Sequence, residues 1–331
     1  MSAALLLWAA AQLAVAGPAD VRHAIPVSVV SQDGSAVGGL SAASFRATIG
    51  GRPLQVLSAS AEARPQRVAL ILDVSRSIDA ADPFQWQVAA TLVRLLAPAN
   101  ELTVMTVADD LRQWSKPTGD EAALLRALDA AHHAPHGGTA LYDSLVAAAG
   151  GAGLSPGFGA VCLLSDGVDT SSRARAADVE KRLAEAGVRL FLLKIEGRGT
   201  PLPLRSAGGA AESRSPSSWT AFGRSRGTVD SRRMVDAASE SALRRVVELS
   251  GGAVVDLDRR RDAAPTLGAV TTQICRAYHL DLAVPLPLRK WTEWKLQVED
   301  SPGHRLEHIH LLYPRQLAPT PAGAGDPVTP R

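Results

Sequence analysis

Cysteine is nearly absent from this sequence. Two residues in 331, Cys162 and Cys275, cannot build a disulfide-stapled scaffold or a four-cysteine zinc site. Net charge is scarce too. The 35 basic residues stand against 33 acidic ones, and the resulting +2 is too mild to point to nucleic acid. Lysine is rare: five stand beside thirty arginines, which together with the abundant alanine reads as genome composition. A long hydrophobic run is missing as well. Ala3 to Ala16 is apolar except for one glutamine, but a span of the bilayer needs about 20 residues, so no stable membrane span is expected. What remains is ordinary: 46% apolar and 21% charged residues exclude a collagenous or wholly disordered chain. The length suits two to three units.

The N-terminal run ends in Ala14-Val15-Ala16, a small-x-small pattern followed by Gly17-Pro18. It reads as a signal peptide over residues 1–16, cleaved after Ala16, although no Lys or Arg precedes Arg22. The expectation is an exported protein, periplasmic or extracellular. A buried N-terminal helix is the plainer alternative. Mass spectrometry of exported protein decides between them by showing a terminus at Gly17 or at Met1.

From residue 20 to 62 the apolar pattern has period two. Ile25, Val27 and Val29 alternate with polar or small residues, as do Phe45, Ala47 and Ile49, with turn signals at Asp33-Gly34 and Gly50-Gly51. This predicts a small antiparallel β-module. Near Arg67 the texture changes. Val68 to Leu72 and Val161 to Leu164 are fully apolar runs, and Val188 to Ile195 is a third apolar strand despite Arg189 and Lys194, as expected of strands covered on both faces. Helical stripes fall between them: Phe84, Val88, Leu92 and Leu95, then Leu124, Leu125 and Leu128, then Val179 and Leu183 before Gly187. Alternating strands and helices over residues 66–277 predict an α/β fold with a doubly wound, mostly parallel sheet. Residues of about 198–238, rich in Gly, Ser, Pro and Arg, read as a disordered insertion that trypsin should cut first at Arg205, Arg214, Arg224 or Arg226. Order resumes at Ser239. Residues 278–316 return to a β-pattern, and 317–331 read as a disordered Pro- and Gly-rich tail.

Three oxygen-rich spots occupy the ends of this pattern. Asp73-Val74-Ser75-Arg76-Ser77 follows the first apolar strand. Gly137-Gly138-Thr139 precedes a helix. Ser165-Asp166-Gly167 follows the second apolar strand. Ligands of open α/β sheets sit beyond the carboxyl ends of the strands, so Asp73 and Asp166 should share one rim. Two carboxylates and three hydroxyls, with no thiolate or imidazole required, make a hard-oxygen site suited to Mg²⁺, with Mn²⁺ or Ca²⁺ as substitutes.

This set of residues, in this order, resembles the von Willebrand factor type A family and its metal-ion-dependent adhesion site. The match rests on Asp73, Ser75, Ser77, Thr139 and Asp166. The flanking β-segments resemble those of bacterial exported proteins carrying such a domain. The resemblance implies that Ser75 and Ser77 ligate the ion directly, that Thr139 does so when the site is engaged, and that Asp73 and Asp166 act largely through water and hydrogen bonds. It also implies a partner protein that supplies a Glu or Asp to the open position, and binding rather than catalysis. Arg76 departs from the pattern: it draws an acidic ligand, repels the metal, or pairs with Asp79.

Other readings carry less. His132, His133 and His136 cluster near Thr139 but fit a solvated helix end. Cys162 and Cys275 read as two separate buried thiols, with a bridge as the alternative. A haloacid-dehalogenase-like phosphohydrolase needs a second acid two residues after the aspartate, and position 75 is Ser. A metal-independent structural module of the same fold is the other alternative.

Overall fold

The computed structural model describes residues 20–61, 65–78, 83–151, 159–195, 226–285, 288–301 and 303–320. The expected signal peptide, Asp79, most of the expected insertion and the end of the tail lie outside them. Three strands come first: β1 (Asp20–Ser31), β2 (Phe45–Ile49) and β3 (Arg52–Ser60). The α/β unit follows with β4 (Arg67–Asp73), α1 (Pro83–Leu96), β5 (Glu101–Val107), β6 (Leu111–Gln113), α2 (Glu121–Ala131) and α3 (Leu141–Gly151). It continues with β7 (Gly159–Ser165), α4 (Ala176–Ala186), β8 (Val188–Lys194), α5 (Arg226–Ser250), β9 (Val254–Asp256) and α6 (Ala264–Cys275). The chain closes with β10 (Tyr278–Pro285), β11 (Thr292–Ser301), β12 (His304–Arg305), β13 (Ile309–Leu312) and β14 (Gln316–Leu317).

The apolar runs are the central strands of a six-stranded sheet ordered β6-β5-β4-β7-β8-β9, parallel except for β6. Their continuous hydrophobicity has a simple cause. Val68, Leu70 and Leu72 of β4 join a core with Val88 and Leu92 of α1, Leu124 of α2 and Val270 of α6. Ala69 and Ile71, pointing the other way, join Leu145 of α3, Val179 of α4 and Val246 of α5. Three helices therefore cover each face, so the strands are mostly apolar, with a few buried polar exceptions such as Thr103 and Thr106 of β5 and Arg189 of β8. Local signals set the helix ends: Asp120 caps α2 by accepting from Ala123 N at 3.1 Å, and Gly187 ends α4 at φ 64°.

The chain winds outward from β4 to β5 and β6, then returns to β7 and winds the other way. The switch point thus lies between β4 and β7, whose register runs to Leu72↔Leu164. Asp73 and Ser165 leave the sheet together there.

The two β-rich flanks are one structure. The order β12-β11-β2-β3-β10-β1-β13, with β14 also on β11, joins N-terminal and C-terminal strands in a single antiparallel sheet. Its buried face is the period-two set, including Val27, Phe45, Leu280 and Leu296. Two boundaries differ from expectation. Residues 226–238, expected within the disordered insertion, are helical as the first half of α5. That stretch has no proline and a single glycine, at its second residue, so it lacks a helix breaker in its interior. The ordered C-terminal part also runs beyond residue 316: Leu317, expected in the tail, is buried opposite Thr292, and Thr320 N donates to Leu288 O at 2.8 Å.

Candidate metal centre

The first loop begins where β4 ends. Asp73 is fully buried. Its Oδ1 accepts from Ser75 N at 2.9 Å and its Oδ2 from the Ser165 hydroxyl at 2.6 Å, so both carboxylate oxygens are fixed by the chain itself. Gln85 of α1 donates to the Asp73 carbonyl at 2.8 Å. The turn puts Ser75 Oγ 3.0 Å from Ser77 Oγ, so the two hydroxyls of the Asp-x-Ser-x-Ser pattern converge.

The third loop is built on the end of β7. Ser165 Oγ also accepts from Gly167 N at 3.0 Å, and Asp166 Oδ1 accepts from Val168 N at 3.1 Å. Gly167 has φ +84°, which a side chain would oppose. The second loop joins both others. Arg76 N donates to Gly137 O at 3.2 Å, Thr139 N donates to Thr170 Oγ1 at 2.9 Å, and Thr139 O accepts from Thr170 N and Ser171 N. The three loops thus form a hydrogen-bonded ring with Asp73, Ser75, Thr139 and Asp166 all buried in it and Ser77 half-buried.

Burial pushes the Asp73 carboxyl up to about 6, against the pull of its hydrogen bonds from Ser165 and Ser75, and the charge of Asp166 adds to the rise. Two carboxylates close enough to repel, beside a pair of hydroxyls 3.0 Å apart, suit a hard divalent cation, whose charge offsets that repulsion. Among the described residues no group of three or more His, Cys, Asp or Glu could hold a metal. The expected site has two acids, so its remaining donors must be hydroxyls or waters. The histidines are otherwise engaged: His136 Nδ1 bonds the Val74 carbonyl at 2.7 Å, and the His132 ring packs edge-on to Trp86 and to His133. Both cysteines are free thiols, Cys162 buried and Cys275 half-buried, the latter accepting from Asn100 Nδ2 at 3.2 Å.

Several supporting residues escape the sequence pattern. Asp109, after β5, accepts from Gly138 N at 2.7 Å. Asp169 accepts from Tyr142 N at 2.9 Å at the start of α3, while Asp143 of that helix accepts from Arg173 N and Ala174 N. Ser239 of α5 accepts from Asp169 N at 3.1 Å. The Asp109-Asp110 pair and the first-turn Asp143 are visible in the sequence, but as ordinary turn and helix-start acids. Their partners are fixed only by the fold.

An open α/β sheet with an oxygen-rich loop ring at its switch point is the layout of a von Willebrand factor type A domain. The family profile described as "VWA domain containing CoxE-like protein" matches residues 43–212, just over half of the chain, and the chain belongs to this family. No curated protein matches the sequence. Solved structures with a similar fold include an aerotolerance-related membrane protein from Bacteroides fragilis, at 16% identity over 63% of this chain and 98% of that one, TM-score 0.41. A von Willebrand factor type A protein from Catenulispora acidiphila is similar at 14% identity over 91% of this chain and 74% of that one, TM-score 0.42. Proximal thread matrix protein 1 of the mussel byssus, with a zinc-occupied adhesion-site motif, aligns at 16% identity over 67% of this chain and 48% of that one, TM-score 0.41. Domains of this family are in general interaction modules, not enzymes. No helix among the described residues is long and apolar enough to cross a membrane.

Proposed function

We propose that this protein is a non-enzymatic, divalent-metal-dependent protein-binding module that acts outside the cytoplasm, in the periplasm or beyond. Asp73, Ser75, Ser77, Thr139 and Asp166 would hold one Mg²⁺, with Mn²⁺ or Ca²⁺ able to replace it. The ion would supply a positive centre for a Glu or Asp of the partner protein. The observation that carries this reading is the loop ring at the switch point, which buries two mutually repelling carboxylates beside paired hydroxyls. The chain's own residues divide the work. Ser165 and Ser75 N fix the Asp73 carboxylate in one orientation. Thr170 fixes the backbone of Thr139. Neutral hydroxyls next to the ion leave it electron-poor, which favours an added carboxylate.

The test is calorimetric titration of Mg²⁺ into the wild type, Asp73→Ala and Thr139→Ala, with circular dichroism as the fold control. Asp73→Ala should lose Mg²⁺ binding at least tenfold with the fold intact, and Thr139→Ala should weaken partner binding more than metal binding. Equal Mg²⁺ affinity in the wild type and Asp73→Ala contradicts the metal site and leaves a metal-independent structural module.

A further inference from the structure

The antiparallel sheet curls without closing. β13 is the last strand of its path and pairs only with β1 among the described strands. Toward the far end of the path lies β11, its outer edge already paired with β12 and β14. Between them is a cleft of about 610 Å³, floored by Leu296 and Val298 of β11 and by Tyr313, and walled by β13 itself. That volume lies within the range of ligand-binding clefts.

His308 opens the cleft. Up to Leu306, whose N–H donates to Val298 O at 2.8 Å, the chain still follows β11. His308 then adopts φ 59°, the one positive φ of a non-glycine residue among those described, and the next residues pair with β1. Backbone in this sparsely populated region persists where its surroundings hold it, and here Gln32 Nε2 lies 3.1 Å from His308 Nδ1.

The register shows which backbone groups face the cleft. Ser31 N donates to Ser35 O and Val37 N to Val29 O, both at 2.9 Å, so Val29 and Ser31 turn their backbone groups away from β13. Neighbouring residues of a strand alternate in direction. Ser28 and Val30 therefore face β13, opposite Leu312 and His310. This leaves Ile309 and Leu311 presenting their N–H and C=O groups to the cleft. β13 carries no lysine, proline or bulge of the kind that blunts natural sheet edges, and only its four-residue length limits the edge. The charged lining is two arginines, Arg305 and Arg315, against one acid, Glu307.

We propose that the β13 edge receives an extended acidic peptide of a partner protein, added as a strand on the open side of β13. Main-chain bonds to Ile309 and Leu311 set its register, alternate apolar side chains rest on Leu296 and Val298, and its carboxylates meet Arg305 and Arg315.

A fluorescein-labelled Val-Glu-Val-Glu-Val-Glu peptide tests this by anisotropy on the full chain. Chelator is present throughout, so that the metal centre cannot contribute. Saturable binding that weakens with salt is expected. The same peptide N-methylated at alternate amides keeps its charges but loses its strand donors, and should bind at least tenfold more weakly. Leu311→Pro removes an N–H that faces the cleft and spares those that face β1, so it should produce the same loss with unchanged circular dichroism. Arg305→Glu with Arg315→Glu should also lower the affinity at least tenfold, which keeps the test decisive if the proline variant does not fold. Equal binding of the N-methylated peptide, unchanged binding by a folded Leu311→Pro, or no saturable binding would overturn the proposal.

Discussion

Asp109 and Gly137 share a space that admits no extra methyl. A Cβ on Gly137 would collide with Asp109 Oδ2, while Asp109 Oδ1 holds the N–H of Gly138, the residue just before Thr139. Gly137→Ala must therefore push the Asp109 carboxylate away and free the loop that carries Thr139. We expect it to lower the melting temperature and to cut Mg²⁺ affinity about tenfold, on the order of 1.4 kcal/mol. Adding Asp109→Ala removes the clash, so the double variant should lose less than the sum of the singles; strict additivity in a double-mutant cycle would disprove the coupling. At this scale the sequence was half legible. Asp73, Ser75 and Ser77 are neighbours in the chain, and their pattern shows. Asp109 and Asp169 are not, because a carboxylate that accepts from a remote backbone N–H leaves no local signature.

α5 is the element that braces the centre from outside. Ser239 accepts from Asp169 N, and the hydroxyl of Tyr142 in α3 donates to the Ser239 carbonyl at 3.2 Å. Ser239→Ala breaks only the first of these and should cost about 1 kcal/mol. Amide hydrogen exchange should report the change as faster exchange at Val168, Asp169 and Thr170, with the strands unaffected; unchanged exchange there would show that α5 does not brace the loop. The strands were the most legible elements. Burial on both faces forces a nearly unbroken apolar run, as in β4 and β7, and burial on one face forces alternation, as in β2. The start of α5 was not legible, because residues 226–238 share their Ser- and Arg-rich texture with the stretch before them while lacking its prolines. The joining of the flanks was hidden as well. β1 pairs with β10 in a register such as Ile25↔Leu280, and nothing in either segment names its distant partner.

In the whole molecule the two sheets meet through a buried cation. Arg189 of β8 is 1% exposed, and its guanidinium donates to Ser28 Oγ of β1 and to the Gln273 and Ile274 carbonyls at the end of α6. Burial lowers it to about 10, still well charged, and the negative end of the α6 dipole accommodates that charge. Arg189→Met removes these charge-assisted bonds, while Gln273 O keeps the Ser28 hydroxyl and Ile274 O keeps Gln66 Nε2 as donors, so it should cost about 1.5 kcal/mol. A loss below 0.5 kcal/mol would show that the seam does not depend on it.

His23 of β1 adds a pH dependence to the same seam, beside Leu183, Gly187 and Leu249. Burial holds its pKa below the ordinary 6.5, and its Nε2 is buried without a hydrogen-bond partner. As pH falls below 6.5 the unfolded chain takes up the proton first, so the folded state loses stability toward acid. His23→Leu should flatten the fall in melting temperature between about pH 6.5 and 5, and an unchanged slope would exclude His23 as its source.

The proposed function rests on one claim, that the loop ring at the switch point binds a metal through oxygen. Crystals of the chain grown with Mn²⁺, measured at the manganese absorption edge, test it most directly. The account predicts a single anomalous peak among Asp73, Ser75, Ser77, Thr139 and Asp166, with serine oxygens in its coordination shell. A peak at His132, His133 or His136, or none within the ring at saturating Mn²⁺, would contradict it.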